Sequence, residues 1–309
     1  MNPKIIPVFK PPRMNSTHVV AHFKRNLPGD FGKIGHFGTL DPFASGVLML
    51  GISGGAKLND YVHSYCPKTY LAVGKLGVFT ETGDLTSPVM KIDDSLYLTS
   101  KIAQFPKEFL QEELSQKFVG DYWQAPHKYS AAKSDGRPLH EWARMGVEVV
   151  KEEKKRTIYS LEVVKYQFPY FIFRAKVSSG TYVRTLMSDI AHHLGTHGTL
   201  VSLCREQVGD VHFKNLIQKK NWPEKGMLGE ELWDIEKFGL NVDQVLPLND
   251  IVLDEEESTT YLNGKAMPWK WGSVTDKNIY WVRNKKLEIL GMGNSVDEKL
   301  KTVFNFRRV

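Results

Sequence analysis

The chain has 309 residues, of which 41% are hydrophobic and 25% charged, enough for a sizeable core and for one main domain with a smaller one, and inconsistent with a disordered or fibrous chain. A formal net charge of +6 and a pI of about 9.0 suit a polyanionic partner without requiring one. Two cysteines, Cys66 and Cys204, exclude a disulfide framework or Cys-rich metal site and read as small buried side chains; no apolar run approaches a bilayer span and MNPKIIPVFKPPRMN lacks a signal-type apolar region, so a soluble, cytoplasmic protein is expected.

The opening IIPVFKPP reads as a short strand stopped by a proline pair, after which Ser16 or Thr17 is expected to cap a helix through Val19, Val20 and Phe23. Next comes GKIGHFGTLDPFASG, a loop with four glycines running into VLMLGI, an apolar run of strand length. TYLAVGKLG reads as a strand, FPKEFLQEELSQKF as a helix, and YFIFRAKVSS as a strand with Phe171, Phe173, Ala175 and Val177 on one face. Past SSG, the residues Val183, Leu186, Met187, Ile190, Ala191 and Leu194 recur at helical spacing, and Gly195 supplies the stop. From about Pro247 the pattern turns to short segments, NIYWVRN, LEILGMG and LKTVFNF, separated by Asn, Lys, Gly and Asp, which suits a small appended β-barrel. The fold class expected is α+β: a mixed, largely antiparallel sheet with packed helices over residues 1–245, and the small barrel over 246–309.

Charge is unevenly spread. Residues 1–57 carry seven Lys or Arg (Lys4, Lys10, Arg13, Lys24, Arg25, Lys33, Lys57) against two acids, Asp30 and Asp41. An Asp-Pro in a loop is by itself more often a turn former than a nucleophile. Asp41, however, is bracketed by Gly38 and Gly46, is biased to extended backbone by Pro42, and stands on a rigid strand, which is how sites are built. Arg184 lies in the first turn of its helix, where the macrodipole disfavours a cation, and a guanidinium there can fork onto a carboxylate; Asp41 would be that carboxylate. Tyr70 alone is an ordinary strand residue. Adjacent His192 and His193 point apart and cannot pair on a metal, and GISGGAKL lacks the spacing of a phosphate loop. The run KEEKKR at 151–156 reads as a solvated loop, from which Lys154, Lys155 and Arg156 could reach a phosphate backbone.

The segment GHFGTLDPFASGVLMLGISGGAKL at 35–58 closely resembles the signature of the bacterial tRNA pseudouridine-55 synthase family, TruB, approximately GHTGTLDPLATGVL followed by GxATKL. Three further blocks fall in the family's order: KTY at 68–70, QAPHKYSAAKSDGRPLHEWARMGVEV at 124–149 and SSGTYVRTLMSDIAHHLGTHGTLVSLCREQVG at 178–209. FKPPRMNSTHVV resembles the family's KPxGxTS start, and the C-terminal segments resemble its PUA-type RNA-binding barrel, so the resemblance covers nearly the whole chain.

It implies a pseudouridine synthase fold and isomerisation of the T-loop uridine, position 55, of tRNA without cofactor or metal, by flipping the base toward a nucleophilic aspartate. The family's aspartate falls on Asp41, its arginine partner on Arg184 and its active-site tyrosine on Tyr70. His36 matches a histidine that holds the RNA near the flipped base; Lys10, Lys57, Leu203 and Arg205 fall on other motif positions, and Lys133 and Arg137 belong to a segment expected to touch phosphate. Phe37 replaces the usual Thr, His127 and Lys128 stand where Pro and Met are common, and His140 where Tyr is common, departures that bear on how RNA packs more than on reaction type. The expected partner is the T stem-loop of tRNA, with no membrane and no obligatory protein partner, the chain acting as a monomer. An RNA-folding chaperone using the same surface and a guide-RNA-dependent synthase are the rival readings.

Overall fold

The structure is a computed structural model and describes residues 3–27, 31–126, 128–129, 133–134, 136–147, 149, 152–224, 235–275 and 277–306. Its longer strands are β1 (Lys4–Lys10), β2 (Ser45–Ile52), β3 (Lys68–Leu76), β4 (Gly120–Gln124), β5 (Lys154–Gln167), β6 (Tyr170–Val177) and β7 (Gly198–Val208). In space they form one sheet in the order β1, β2, β7, β3, β6, β5, β4, with the short strand Leu240–Asn241 beyond β1. Neighbours run antiparallel except β2 and β7, which pair in parallel through Ser45 with Cys204 and Gly46 with Arg205. This is the mixed, largely antiparallel sheet expected, and the parallel join is where the glycine loop enters it.

The apolar run of β2 is explained by burial on both faces. Val47 and Met49 point into one cluster with Ile5, Val245, Trp281 and Met292; Leu48, Leu50 and Ile52 point into another with Val8, Val19 and Phe23. Val19 and Phe23 come from helix α1 (Ser16–Asn26). Its N-cap is Asn15, with no side-chain bond, so the expected capping by Ser16 or Thr17 is corrected: the Ser16 hydroxyl serves the loop, as described below. A third cluster covers the other half of the sheet, where Leu110, Leu114 and Phe118 of α3 (Lys107–Phe118) and Leu186, Met187 and Ile190 of α4 (Val183–His193) meet Phe171, Phe173, Ala175 and Val177. Each fully buried large apolar side chain contributes roughly 1.5–3 kcal/mol. Gly195, at φ +82°, ends α4 as expected.

The C-terminal part forms a curled five-stranded sheet in the order β8 (Asn249–Leu253), β9 (Tyr280–Asn284), β10 (Ile289–Val296), β11 (Lys299–Asn305) and the short Met267–Pro268. It has its own apolar cluster around Tyr261, Val282 and Leu290, yet it also shares one with the N-terminal sheet through Trp281 and Met292. Gly55 packs against the Lys4 carbonyl, and Lys57 of the same loop donates to the Asn305 carbonyl at 2.7 Å while standing over the Phe304 ring. GISGGAKL is thus where the C-terminal sheet docks.

Two further sequence expectations are overturned. Lys154–Arg156 open strand β5 and pair with Tyr122–Gln124 instead of forming a loop, because edge pairing overrides the weak strand preference of charged side chains. Cys66 is buried, but Cys204 is only half-buried. Among the described residues no helix is long and apolar enough to cross a membrane.

Candidate active site

Asp41 lies at the turn after the glycine loop, whose backbone is held from several sides. Ser16 Oγ accepts from the Leu40 N–H at 2.9 Å, Arg13 N–H donates to the Pro42 carbonyl at 2.7 Å, and Ala44 N–H closes the turn onto the Asp41 carbonyl at 3.1 Å. Beneath it Lys10 is fully buried, its ammonium donating to the carbonyls of Pro11, Met14 and Pro42. Burial lowers the Lys10 pKa to about 8, opposed by the charge of Asp41 and aided by Arg205. Arg205, 2% exposed, completes the brace by donating to the carbonyls of Val47 (2.8 Å), Thr39 (3.4 Å) and Gly38 (3.2 Å). Gly46 makes this contact geometrically feasible, since a Cβ there would stand 2.2 Å from the Arg205 carbonyl oxygen.

Arg184 reaches the carboxylate from α4. Its Nε lies 3.0 Å from one Asp41 oxygen and its Nη2 donates to the other at 3.0 Å, a side-on fork. Nη2 also donates to the Tyr129 carbonyl at 3.0 Å, while Nη1 donates to the Thr82 carbonyl at 2.9 Å and to Asp84 at 3.4 Å. Both terminal nitrogens therefore donate twice while Nε stands against the carboxylate, and the group can neither rotate nor leave without losing several bonds. Asp84, itself buried, accepts at its other oxygen from Thr86 N–H (2.8 Å) and from the hydroxyls of Thr82 and Thr86. Arg184 is 5% exposed, whereas Asp41 is 35% exposed, so the guanidinium is the buried anchor and the carboxylate faces the cleft. Burial raises the Asp41 pKa from its ordinary value, Arg184 opposes this, Asp84 adds to it and Lys10 opposes it.

The helix bearing Arg184 is itself clamped. The Gln124 side chain accepts from Tyr182 N–H at 2.7 Å and donates to the Tyr182 carbonyl at 3.0 Å, pairing with that peptide as a strand would. The same amide donates to Tyr122 Oη at 3.0 Å, and Tyr122 donates to Asp189 on the next turns of α4. Asp41, Tyr70, Asp84, Tyr129, Arg184 and Leu203 line one cleft of about 830 Å³, with Tyr70 and Leu203 supplying its aromatic and apolar walls.

Residues 24–183 match the TruB family pseudouridylate synthase N-terminal domain. A tRNA pseudouridine synthase B of Clostridium kluyveri is 33% identical across 97% of this chain and 98% of its own length, and one of Clostridium tetani is 35% identical over 97% and 98%. The chain belongs to the TruB family. By shape it matches a chain of a crystallised Cbf5-Nop10-Gar1 complex, with a TM-score of 0.71 at 20% identity, covering 99% of this chain and 85% of that one. A chain of an archaeal box H/ACA sRNP Nop10-Cbf5 complex gives 0.67 at 19%, covering 99% and 86%. Both are likenesses of fold, and with the family assignment they identify the architecture as that of pseudouridine synthases.

Seen against the TruB signature, the structure brings Asp41, Arg184, Tyr70, Leu203 and Arg205 to one cleft and sets Lys10, Lys57, His36, Lys133 and Arg137 outside its lining. Lys10, Arg205 and Lys57, expected at RNA, have their donors on backbone carbonyls: the first two brace the glycine loop and the third docks the C-terminal sheet. His36 is half-buried in the short strand Gly35–His36, which pairs with β2, with Nδ1 enclosed and without a hydrogen-bond partner, and burial, then Arg205, lowers its pKa. Lys133 is in a short strand paired with Arg137–Pro138, and Arg137 is exposed, its guanidinium over the Trp142 ring at 5.5 Å. Phe37, the departure from the usual Thr, is buried in the cluster shared with the C-terminal sheet. His127 lies outside the described residues. Sequence reasoning missed Asp84 and Gln124; the Asp84 carboxylate acquires meaning only through Arg184, 100 positions away.

Proposed function

We propose that this chain isomerises the T-loop uridine, position 55, of tRNA to pseudouridine, with Asp41 as the nucleophile. The observation that carries the reading is the forked Arg184 contact on a carboxylate that faces a cleft large enough for a nucleotide. The N1–C1′ bond breaks, the base turns in place, a C1′–C5 bond forms, the C5 proton passes to solvent and N1 takes up a proton, so composition is unchanged. Asp41 supplies the covalent partner, adding to the base or engaging the sugar at C1′. Arg184 holds that carboxylate oriented and its charge compensated, and removing either partner leaves the other without its counter-ion. Tyr70 offers an aromatic face to the base, and it or Asp41 receives the C5 proton.

A uridine stacked in a folded loop must be extruded, at a cost of a few kcal/mol, which phosphate contacts offset with a strong dependence on salt. The C-terminal sheet we infer to be a PUA-type RNA-binding unit, spanning about 246–309, docked on a catalytic unit of about 1–245. The two halves share buried apolar surface, which suits a single RNA-binding face. The reading is tested with an isolated T stem-loop tritiated at C5 of its uridines. Tritium release that disappears when the position-55 uridine is replaced by cytidine supports it; release that persists, or a need for a guide RNA, overturns it.

A further inference from the structure

Beyond Asp41 the cleft continues to the turn Ser178–Thr181 and to α2 (Asn59–Tyr65), and the charges gathered there are nearly all of one sign. Lys68 is buried, its ammonium donating to Ser179 Oγ at 2.8 Å and to the carbonyls of His63 and Val62 at 3.2 and 3.4 Å. Arg156, on β5, donates to the Ser179 carbonyl at 3.2 Å and lies over Gly180, where a Cβ would stand 3.0 Å from its guanidinium carbon. His63 is exposed at the rim, its Nδ1 facing Gly38 beside Arg205 Nη1; a Cβ at Gly38 would stand 3.9 Å from the first and 3.7 Å from the second. Partial burial and the charges of Lys68, Arg156 and Arg205 lower the His63 pKa, with Asp60 the opposing charge.

Among the described residues none of Lys68, Arg156 and Arg205 has a carboxylate within ion-pair distance. Arg174, Arg184 and Arg283, in contrast, each hold two. Lys68 and Arg205 line the cleft and Arg156 stands against Ser179 and Gly180 at its edge; cations gathered in this way without counter-ions repel one another and focus a positive field into the cleft, an arrangement stabilised when an anion enters. The cleft also has volume to spare: about 830 Å³ is well above the roughly 300 Å³ at the lower end of ligand sites. A nucleotide seated at Asp41 leaves this end for its neighbour.

We propose that His63 and Arg156, backed by Lys68 and Arg205, form a subsite for one phosphodiester of the RNA, adjacent to the nucleotide at Asp41. It rests on the functional reading above and adds the part of the substrate this wall receives. Arg156 supplies the fixed charge and the exposed imidazole a second donor. Lys68 and Arg205 act from below, their own donors already committed to Ser179 and to the glycine loop.

The test titrates a T stem-loop against wild type, Arg156→Gln, Arg156→Lys and His63→Leu at several salt concentrations, beside single-turnover tritium release at saturating RNA. Arg156→Gln should bind roughly tenfold more weakly and lower the slope of log affinity against log salt by about 0.7–0.9, the value of one phosphate contact. Its affinity should fall more than its rate at saturation, and Arg156→Lys should recover most of the loss. Stem-loops neutralised by methylphosphonate at one phosphate at a time should reveal one position beside the target uridine that weakens wild type and leaves Arg156→Gln unaffected. Unchanged affinity and slope in both neutral variants, a loss confined to rate, or the absence of a coupled phosphate overturns the subsite alone. Wild type that neither binds nor turns over the stem-loop sinks the functional reading and the subsite with it.

Discussion

Arg184 meets Asp41 side-on, Nε and Nη2 each 3.0 Å from one of its two carboxylate oxygens, while its remaining donors are taken by Tyr129, Thr82 and Asp84. The guanidinium thus joins α4, the glycine loop and the turn at 82–86 at one point, and the carboxylate's orientation follows from the packing of all three. An aspartate left to a loop would sample rotamers; this one is held.

Asp84 is expected to matter although it lies behind the arginine. Asp84→Asn weakens one charge-assisted bond to Arg184, and at about 1.5–3 kcal/mol for such a bond the turnover rate should fall roughly 10- to 150-fold. The KM for RNA should stay within a few-fold, because Asp84 is buried at the base of the site. Steady-state kinetics check this; a change in KM alone would show that the residue acts on binding.

The pH dependence has a definite sign. Only the ionised Asp41 is a nucleophile, and burial with the charge of Asp84 raises its pKa against the pull of Arg184 and Lys10. The single-turnover rate should therefore fall on acidification with a midpoint above the ordinary aspartate value. Asp84→Asn removes a negative neighbour, favours the ionised form and should move that midpoint downward. A midpoint that moves upward contradicts the arrangement.

Gln124 is expected to act through Arg184 by fixing the peptide of Tyr182. Gln124→Leu leaves the half-buried Tyr182 N–H without its partner, at a cost of about 1–3 kcal/mol, while the Tyr182 carbonyl keeps the Leu186 N–H. Both the midpoint of thermal unfolding and the turnover rate should drop, with RNA affinity less affected. An unchanged rate in a destabilised protein would limit Gln124 to folding.

Helix α4 with its arginine and strand β2 were legible in the sequence because each has a one-dimensional signature: apolar residues at helical spacing for one, an uninterrupted apolar run for the other. The loop of Asp41 was legible through its glycines. Lys10 and Lys57 show where such reading stops, since the letter of a basic residue does not say that its donors are spent on carbonyls inside the fold. Asp84 and Gln124 are defined by partners far along the chain, Arg184 and Tyr182, which no local spacing records. Strand β5 begins in charged residues because its first residues, exposed or half-exposed to water, pair with the outermost strand of the sheet.

The shared cluster between the C-terminal sheet and the glycine loop makes a stability prediction. Trp281 is fully buried there and donates Nε1–H to the Leu246 carbonyl at 2.9 Å. Trp281→Ala should destabilise the whole chain by about 3–5 kcal/mol in denaturant unfolding. A cost below about 1 kcal/mol, or a separate early transition for the C-terminal part, would mean that the two halves are not one cooperative unit.

The central measurement compares tritium release from C5-labelled T stem-loop by wild type and Asp41→Asn, beside a binding titration at the same salt. Release should be abolished by the substitution while RNA affinity stays within a few-fold. Retained release by Asp41→Asn would contradict the assignment of the nucleophile, whatever the RNA affinity.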